Sequence, residues 1–137
     1  MSTSTNREIA EKWFAAVNDG DTAAIQALVH DDWVDHNTMP GQPTGKAGAA
    51  MHVEVLRGIF SELKITVDDI ICEGNRVVAR YSSTGRNTGS FMGIPPTNKI
   101  VTSTGISIWR IRDGLVAEMW AEWDALGTLQ QLGGLPS

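Results

Sequence analysis

An α+β fold, with helices packed on one face of an antiparallel sheet, is predicted by three observations. The first half of the chain repeats apolar residues at helical spacing. From Leu63 onward, β-branched and aromatic runs take over, broken by short turns. The helices precede the strands as a block instead of alternating with them.

Each element has its own signal. Thr5-Asn6-Arg7-Glu8 has the form of a capping box, and Ile9, Trp13 and Val17 follow every four residues with Phe14 beside them. Asn18-Asp19-Gly20 ends that helix, and Asp21 can cap a short second one carrying Ile25, Leu28 and Val29. Trp33 to Asn37 reads as a short extended segment, and Thr38 to Gly45, with its prolines and glycines, as a loop. Thr44 is the expected cap of a third helix from about Lys46 to Ser61. Strands follow at Ile65–Val67 with Ile70–Ile71, at Arg76–Thr84, at Lys99–Ile111 and at Leu115–Trp123. Their turns fall at Glu73-Gly74-Asn75 and Arg112-Asp113-Gly114, with a loop from Arg86 to Asn98.

The last hairpin decides which side chains share a face, and two registers are open. A two-residue Asp-Gly turn pairs Arg112 with Leu115. A three-residue loop with Gly114 as a left-handed bulge pairs Ile111 with Leu115. The second places Gly105, Ser107 and Trp109 on one face with Ala117, Met119, Ala121 and Trp123. Ile106, Ile108, Arg110, Val116, Glu118, Trp120, Glu122 and Asp124 then take the other, and a one-residue slip reverses part of this.

Length and composition narrow the function. The 137 residues fit one compact domain, and one of this size buries a sizeable core without staples. Eleven Lys and Arg against sixteen Asp and Glu leave a net charge of −5, which speaks against nucleic acid or an anionic membrane as partner. The single cysteine, Cys72, excludes an internal disulfide and any multi-cysteine zinc site. The polar start MSTSTNRE and the lack of a long apolar run lead us to expect a soluble cytoplasmic protein.

Three segments carry a resemblance. Phe91-Met92-Gly93-Ile94-Pro95-Pro96-Thr97, Trp109-Arg110-Ile111-Arg112-Asp113-Gly114 and Gly127-Thr128-Leu129-Gln130-Gln131-Leu132-Gly133, in this order and spacing, resemble the SnoaL-like polyketide (ester) cyclases. That family belongs to the nuclear-transport-factor-2-like superfamily of cone-shaped α+β barrels. The resemblance implies one SnoaL-like domain over 1–137, with three N-terminal helices on a curved sheet. It also implies cofactor-free, metal-free chemistry: an aspartate removes an acidic proton, an intramolecular aldol reaction closes a ring, and polar side chains hold the enolate and carbonyl oxygens. Carried over position by position, that aspartate falls on Ala121, a pocket histidine on Ser107 and a glutamine on Gly105. An asparagine near the pocket mouth falls on or close to Asp35. The family register favours the three-residue loop, giving a cavity lined by Ser107, Trp109, Ala117, Met119, Ala121 and Trp123, and Trp33 is expected to line it as well.

With alanine at the usual base position, the candidate bases are Asp35 and His52. Asp35 adjoins His36 where the chain enters the sheet, and as neighbours on a strand they point to opposite faces. The plainer role for Asp35 is accepting backbone hydrogen bonds in the turn before Pro40. His52 lies three, four and seven residues from Val55, Leu56 and Ile59, on or beside the apolar stripe of the third helix. It reads equally as a core residue or as a cavity group. Of Arg80 and Tyr81 one must point inward. An inward Arg80 needs a carboxylate such as Asp35, a pair that also forms the core of cofactor-free epoxide hydrolases on this superfamily fold. The alternative is a surface arginine.

Other groups have plainer readings. Glu118, Glu122 and Asp124 share the outer face with Arg110, where an Arg110–Glu118 ion pair explains them. Cys72 has no adjacent base to activate it. Gly85, Gly89 and Gly93 lack the strand-to-helix context of a phosphate loop, and His30, His36 and His52 lack metal-ligand spacing. The leading expectation is an enzyme acting by proton transfer (cyclisation, isomerisation or epoxide-hydrolase-like hydration) on a hydrophobic, ring-containing small molecule. The alternative is a non-catalytic binding or carrier protein for such a molecule. The apolar outer face is expected to pair two chains into a homodimer through the sheet.

Overall fold

The computed structural model describes residues 3–38 and 41–134. The elements are α1 (Thr3–Asp19), α2 (Thr22–Gln26), β1 (Val29–Asp35), α3 (Gly45–Ile59), β2 (Phe60–Glu73), β3 (Arg76–Asn87), β4 (Ile100–Arg112), β5 (Leu115–Trp123) and α4 (Ala125–Gln131). The five strands form one curved, unclosed sheet in the order β1-β5-β4-β3-β2, with the expected three helices ahead of its long strands. The α+β class stands as read from the sequence.

Several local expectations are corrected. β1 begins at Val29, which was assigned to the second helix, and it joins β5 in parallel, so the sheet is mixed. A parallel pairing needs a long crossover, here α3 and the strands after it, and no hairpin signal announces it. α1 begins at Thr3, ahead of the hydroxyl expected to cap it. Asn6, 1% exposed, instead ties that first turn to the β2–β3 turn by donating to the Gly74 carbonyl at 3.1 Å. Asp21 caps α2 as expected, accepting from the Ala24 N–H. Thr44 occupies the N-cap of α3 without a side-chain bond to it. Met39 and Pro40, part of the loop predicted before it, lie outside the described residues.

α4 has no counterpart in the sequence reading. Asp124 caps it by accepting from the Gly127 N–H at 2.8 Å. The Gln131 amide pins it to β4, donating to the Thr102 carbonyl at 2.7 Å and accepting from the Thr102 N–H at 2.9 Å. The helix folds back over the sheet and buries Thr128.

The β4–β5 hairpin combines features of both registers. Asp113 and Gly114 have φ of 52° and 79°, the two left-handed residues of a type I′ turn, and Arg112 pairs with Leu115. A shift follows, so that Arg110 pairs with Glu118 and Trp109 with Met119. This bulge at Ala117 restores the parity of the other register. Gly105, Ser107 and Trp109 therefore do share a face with Met119, Ala121 and Trp123. Val116, assigned to the outer face, is fully buried beside Ala117.

The core lies between α1, α3 and the inner sheet face. Trp13 packs on Trp33 and Trp109, each with ring centroids 6.0 Å apart, and Phe14 meets Trp109 edge-on at 5.6 Å. Irregularities in β2–β3 at Ser61/Lys64 and Val67/Asp69 bend the sheet around this cluster and leave room beside it.

Candidate active site

The curvature encloses a cavity of about 380 Å³, within the usual range for small-molecule sites. Trp13, Phe14, Val55, Leu56, Ile59, Phe60, Leu63 and Ile65 make its walls predominantly apolar. Asp35, Asn37, His52, Tyr81, Ser107 and Thr128 are among its polar groups.

β1 delivers Asp35. Its backbone pairs with Met119 of β5, and the residue is 6% exposed. One carboxylate oxygen accepts from the Asn37 N–H at 2.9 Å, an Asx turn of the kind the plainer reading anticipated. The other accepts from the Gln42 amide at 3.0 Å. Asn37 is itself fixed: its carbonyl accepts from the Ala121 N–H at 2.7 Å and its amide donates to Glu122 at 3.3 Å.

α3 delivers His52. Its ring lies 6.2 Å from that of Trp13 and makes no hydrogen bond among the described residues. Burial lowers its pKa from the usual histidine value, and the charge of Asp35 pulls the other way. His52 is therefore a neutral imidazole at neutral pH, with a carboxylate near enough to favour it once protonated.

The structure separates the other predicted residues. Arg80 points from the outer face, exposed, with its guanidinium 3.8 Å from Asp68, so the Arg80–Asp35 pair does not form. Tyr81 is the inward member of that couple. Ser107, Met119, Ala121 and Trp123 line the cavity. Trp33 and Trp109 do not: both are fully buried behind Trp13, filling space that the sequence reading gave to the pocket. At the rim, Trp123 is 42% exposed and meets Phe91 edge-on at 5.6 Å, with Met92 exposed beside it. Among the described residues, no three His, Cys, Asp or Glu side chains gather as a metal site.

A family model for SnoaL-like polyketide cyclases matches residues 7–132. The chain belongs to the SnoaL-like polyketide cyclase family. It is 32% identical over 123 residues to nogalonic acid methyl ester cyclase of Streptomyces nogalater, covering 87% of this chain and 90% of that one. Against aklanonic acid methyl ester cyclase of Streptomyces peucetius it is 29% identical, covering 95% and 92%. The structure of TsrD from Streptomyces laurentii superposes with a TM-score of 0.91 at 31% identity, covering 98% of this chain and 99% of that one. Among the described residues of this SnoaL-like chain, no helix is long and apolar enough to cross a membrane.

Sequence reasoning did not name Tyr81, Asn37, Phe91 or Thr128 as cavity residues. Strand parity held the signal for Tyr81, since it alternates with Val77 and Ala79, both fully buried. Thr128 could be found only once α4 was known to fold back.

The two classes of tryptophan predict a ligand response. Titration with a flat aromatic compound is expected to change intrinsic tryptophan fluorescence through Trp13 and Trp123. Trp123→Phe should diminish the change and Trp109→Phe should leave it. Equal loss in both variants would contradict the placement of Trp109 behind the cavity.

Proposed function

We propose that this chain is a cofactor-free enzyme of the cyclase type, moving a proton on a hydrophobic, ring-containing substrate. The observation that carries this reading is that buried His52, with no hydrogen bond among the described residues, and the Asp35 carboxylate line the same, mostly apolar cavity. A neutral imidazole can take an acidic C–H proton from carbon between two carbonyls. The resulting enolate carbon attacks a second carbonyl of the same molecule, forming the ring C–C bond. The new alkoxide then takes the proton back from the imidazolium, so no atom or electron is gained or lost. Asp35 stabilises the imidazolium between the two transfers, and low water content strengthens that interaction. Ala121 has no group that could take part.

The relatives' names supply the substrate class for a test: an aromatic polyketide methyl ester. With nogalonic acid methyl ester, the purified chain is expected to yield ring-closed product without added metal or cofactor. Saturable binding without product would make it the carrier instead.

A homodimer through the outer sheet face is part of the same proposal. Ile106 is 47% exposed, with Ile108 and Trp120 half-buried beside it. Arg76 sits 5.1 Å over the Trp120 ring, and His36 stacks on it at 4.6 Å. Glu118 is held by His36 at 2.8 Å and by Arg110 at 2.5 Å, which lowers its pKa. Sedimentation at micromolar concentration should report twice the chain mass, and Ile106→Lys should halve it. A wild-type monomer would remove the dimer from the proposal.

A further inference from the structure

The Asn18-Asp19-Gly20 ending of α1 does more than stop the helix. Gly20 has φ of 66°; its N–H donates to the Val17 carbonyl at 3.2 Å and the Asp21 N–H to the Ala16 carbonyl at 2.9 Å. In such an ending the last carbonyls point past the helix and need outside donors. Arg57 of α3 is that donor. One guanidinium nitrogen donates to the Asn18 carbonyl at 2.8 Å and to the Val17 carbonyl at 3.2 Å. A Cβ on residue 20 would lie 2.8 Å from the Arg57 Nε, so glycine supplies both the left-handed turn and the space for this side chain.

The Asn18 side chain carries the connection onward. Its amide donates to the Ile65 carbonyl at 2.9 Å, and its oxygen accepts from the Ile65 N–H at 2.7 Å. β2 is an edge strand, so this side chain stands in for a missing neighbour strand. Arg57, the end of α1 and Asn18 thus link α3 to β2 through four hydrogen bonds.

Each anchor adjoins a cavity wall. Val17 and Ile65 line the cavity themselves, and Leu56 does so next to Arg57. α1 packs closely on α2 and β2, and α3 on α2 and β1, whereas α1 and α3 make little backbone contact with each other. Both supply cavity walls, so their separation fixes the width between those walls. Arg57 lies in the last turn of α3 and bonds to the last turn of α1, so two partially negative helix ends meet at one cation. The guanidinium offsets their repulsion and ties them at a fixed distance.

We propose that Arg57 and Asn18 form a clamp that sets the width of the cavity, and with it the width of the molecule the protein accepts. The clamp admits a narrow apolar ligand and disfavours a broader one of the same length. Only the cavity's role in holding an apolar, ring-containing molecule is taken from the reading above, and no proton transfer is required.

Anthracene and pyrene test width directly, because they have nearly the same length and pyrene is broader. Fluorescence titration of the full-length protein is expected to show tighter binding of anthracene. Arg57→Met keeps an apolar stem and loses the guanidinium, and it should raise the affinity for pyrene relative to anthracene about 10-fold. Asn18→Ala should move the ratio the same way, and it decides alone if Arg57→Met does not fold. Arg57→Lys keeps a cation within reach of the carbonyls and should keep most of the wild-type ratio. Asn6→Ala cuts a tie at the other end of α1, outside the cavity lining, and should lower stability without moving the ratio. A wild type that favours pyrene, an unchanged ratio in Arg57→Met and Asn18→Ala, or an equal rise in Asn6→Ala would overturn the clamp as a selector. A wild type that binds neither hydrocarbon would remove the binding cavity and the clamp's role together, an outcome distinct from binding with an unaltered ratio.

Discussion

Trp109→Ala is expected to destabilise the folded chain by about 3–5 kcal/mol, the range for removing a buried tryptophan. Domains of this size have about 5–15 kcal/mol in total, so the variant should stand near its unfolding threshold. Trp109 is fully buried, meets Trp13 at 6.0 Å and Phe14 at 5.6 Å, and joins the sheet to α1. Trp109→Phe should cost much less, for a specific reason. The indole N–H of Trp109 has no hydrogen-bond partner among the described residues. Phenylalanine keeps most of the ring contact and removes that unpaired donor, whose burial costs about 1–3 kcal/mol. Urea unfolding of both variants checks the contrast. A Trp109→Ala loss under about 1 kcal/mol would place this residue at a yielding cavity wall, where the sequence reading had put it.

The contrast between Trp109 and Met119, neighbours across β4–β5, shows how far the sequence can be read. Alternation assigns both to the inner face, and both are there. Alternation says nothing about depth along the strand, and depth separates the packed end behind Trp13 from the open end at Ser107, Ala121 and Trp123. Helical spacing likewise puts His52 on the inner stripe of α3 without showing whether that part of the stripe meets side chains or space. Arg80 and Tyr81 were symmetric candidates until the β2–β3 register placed Asp68 within reach of Arg80 on the outer face. The parallel arrival of β1 is a product of long-range pairing with β5, yet it brings Asp35 to Met119 and so to the cavity. Gly105 was legible only as a missing side chain, because the Tyr81 phenol that occupies the space comes from the neighbouring strand.

His52→Ala should lower turnover by about 10²–10⁴-fold, the contribution of one well-placed general base, if the imidazole takes the proton. Asp35→Asn should also slow the reaction, with a second signature that tells the roles apart. The base works only unprotonated, so the rate rises with pH through the His52 pKa, which burial holds below the ordinary histidine value. The charge of Asp35 raises that pKa, so removing it should move the acid limb to still lower pH. Were Asp35 itself the base, Asp35→Asn would abolish the limb and His52→Gln would leave it. Stability gives an independent reading with a definite sign. Between the folded and unfolded pKa values of His52, the unfolded chain binds more protons, so stability rises with pH across that window. It is lost as pH falls below about 6.5, the unfolded value. His52→Gln cannot titrate and should flatten this part of the stability profile. A profile unchanged in His52→Gln, together with full turnover, would remove His52 from the mechanism and leave the cavity and the fold standing.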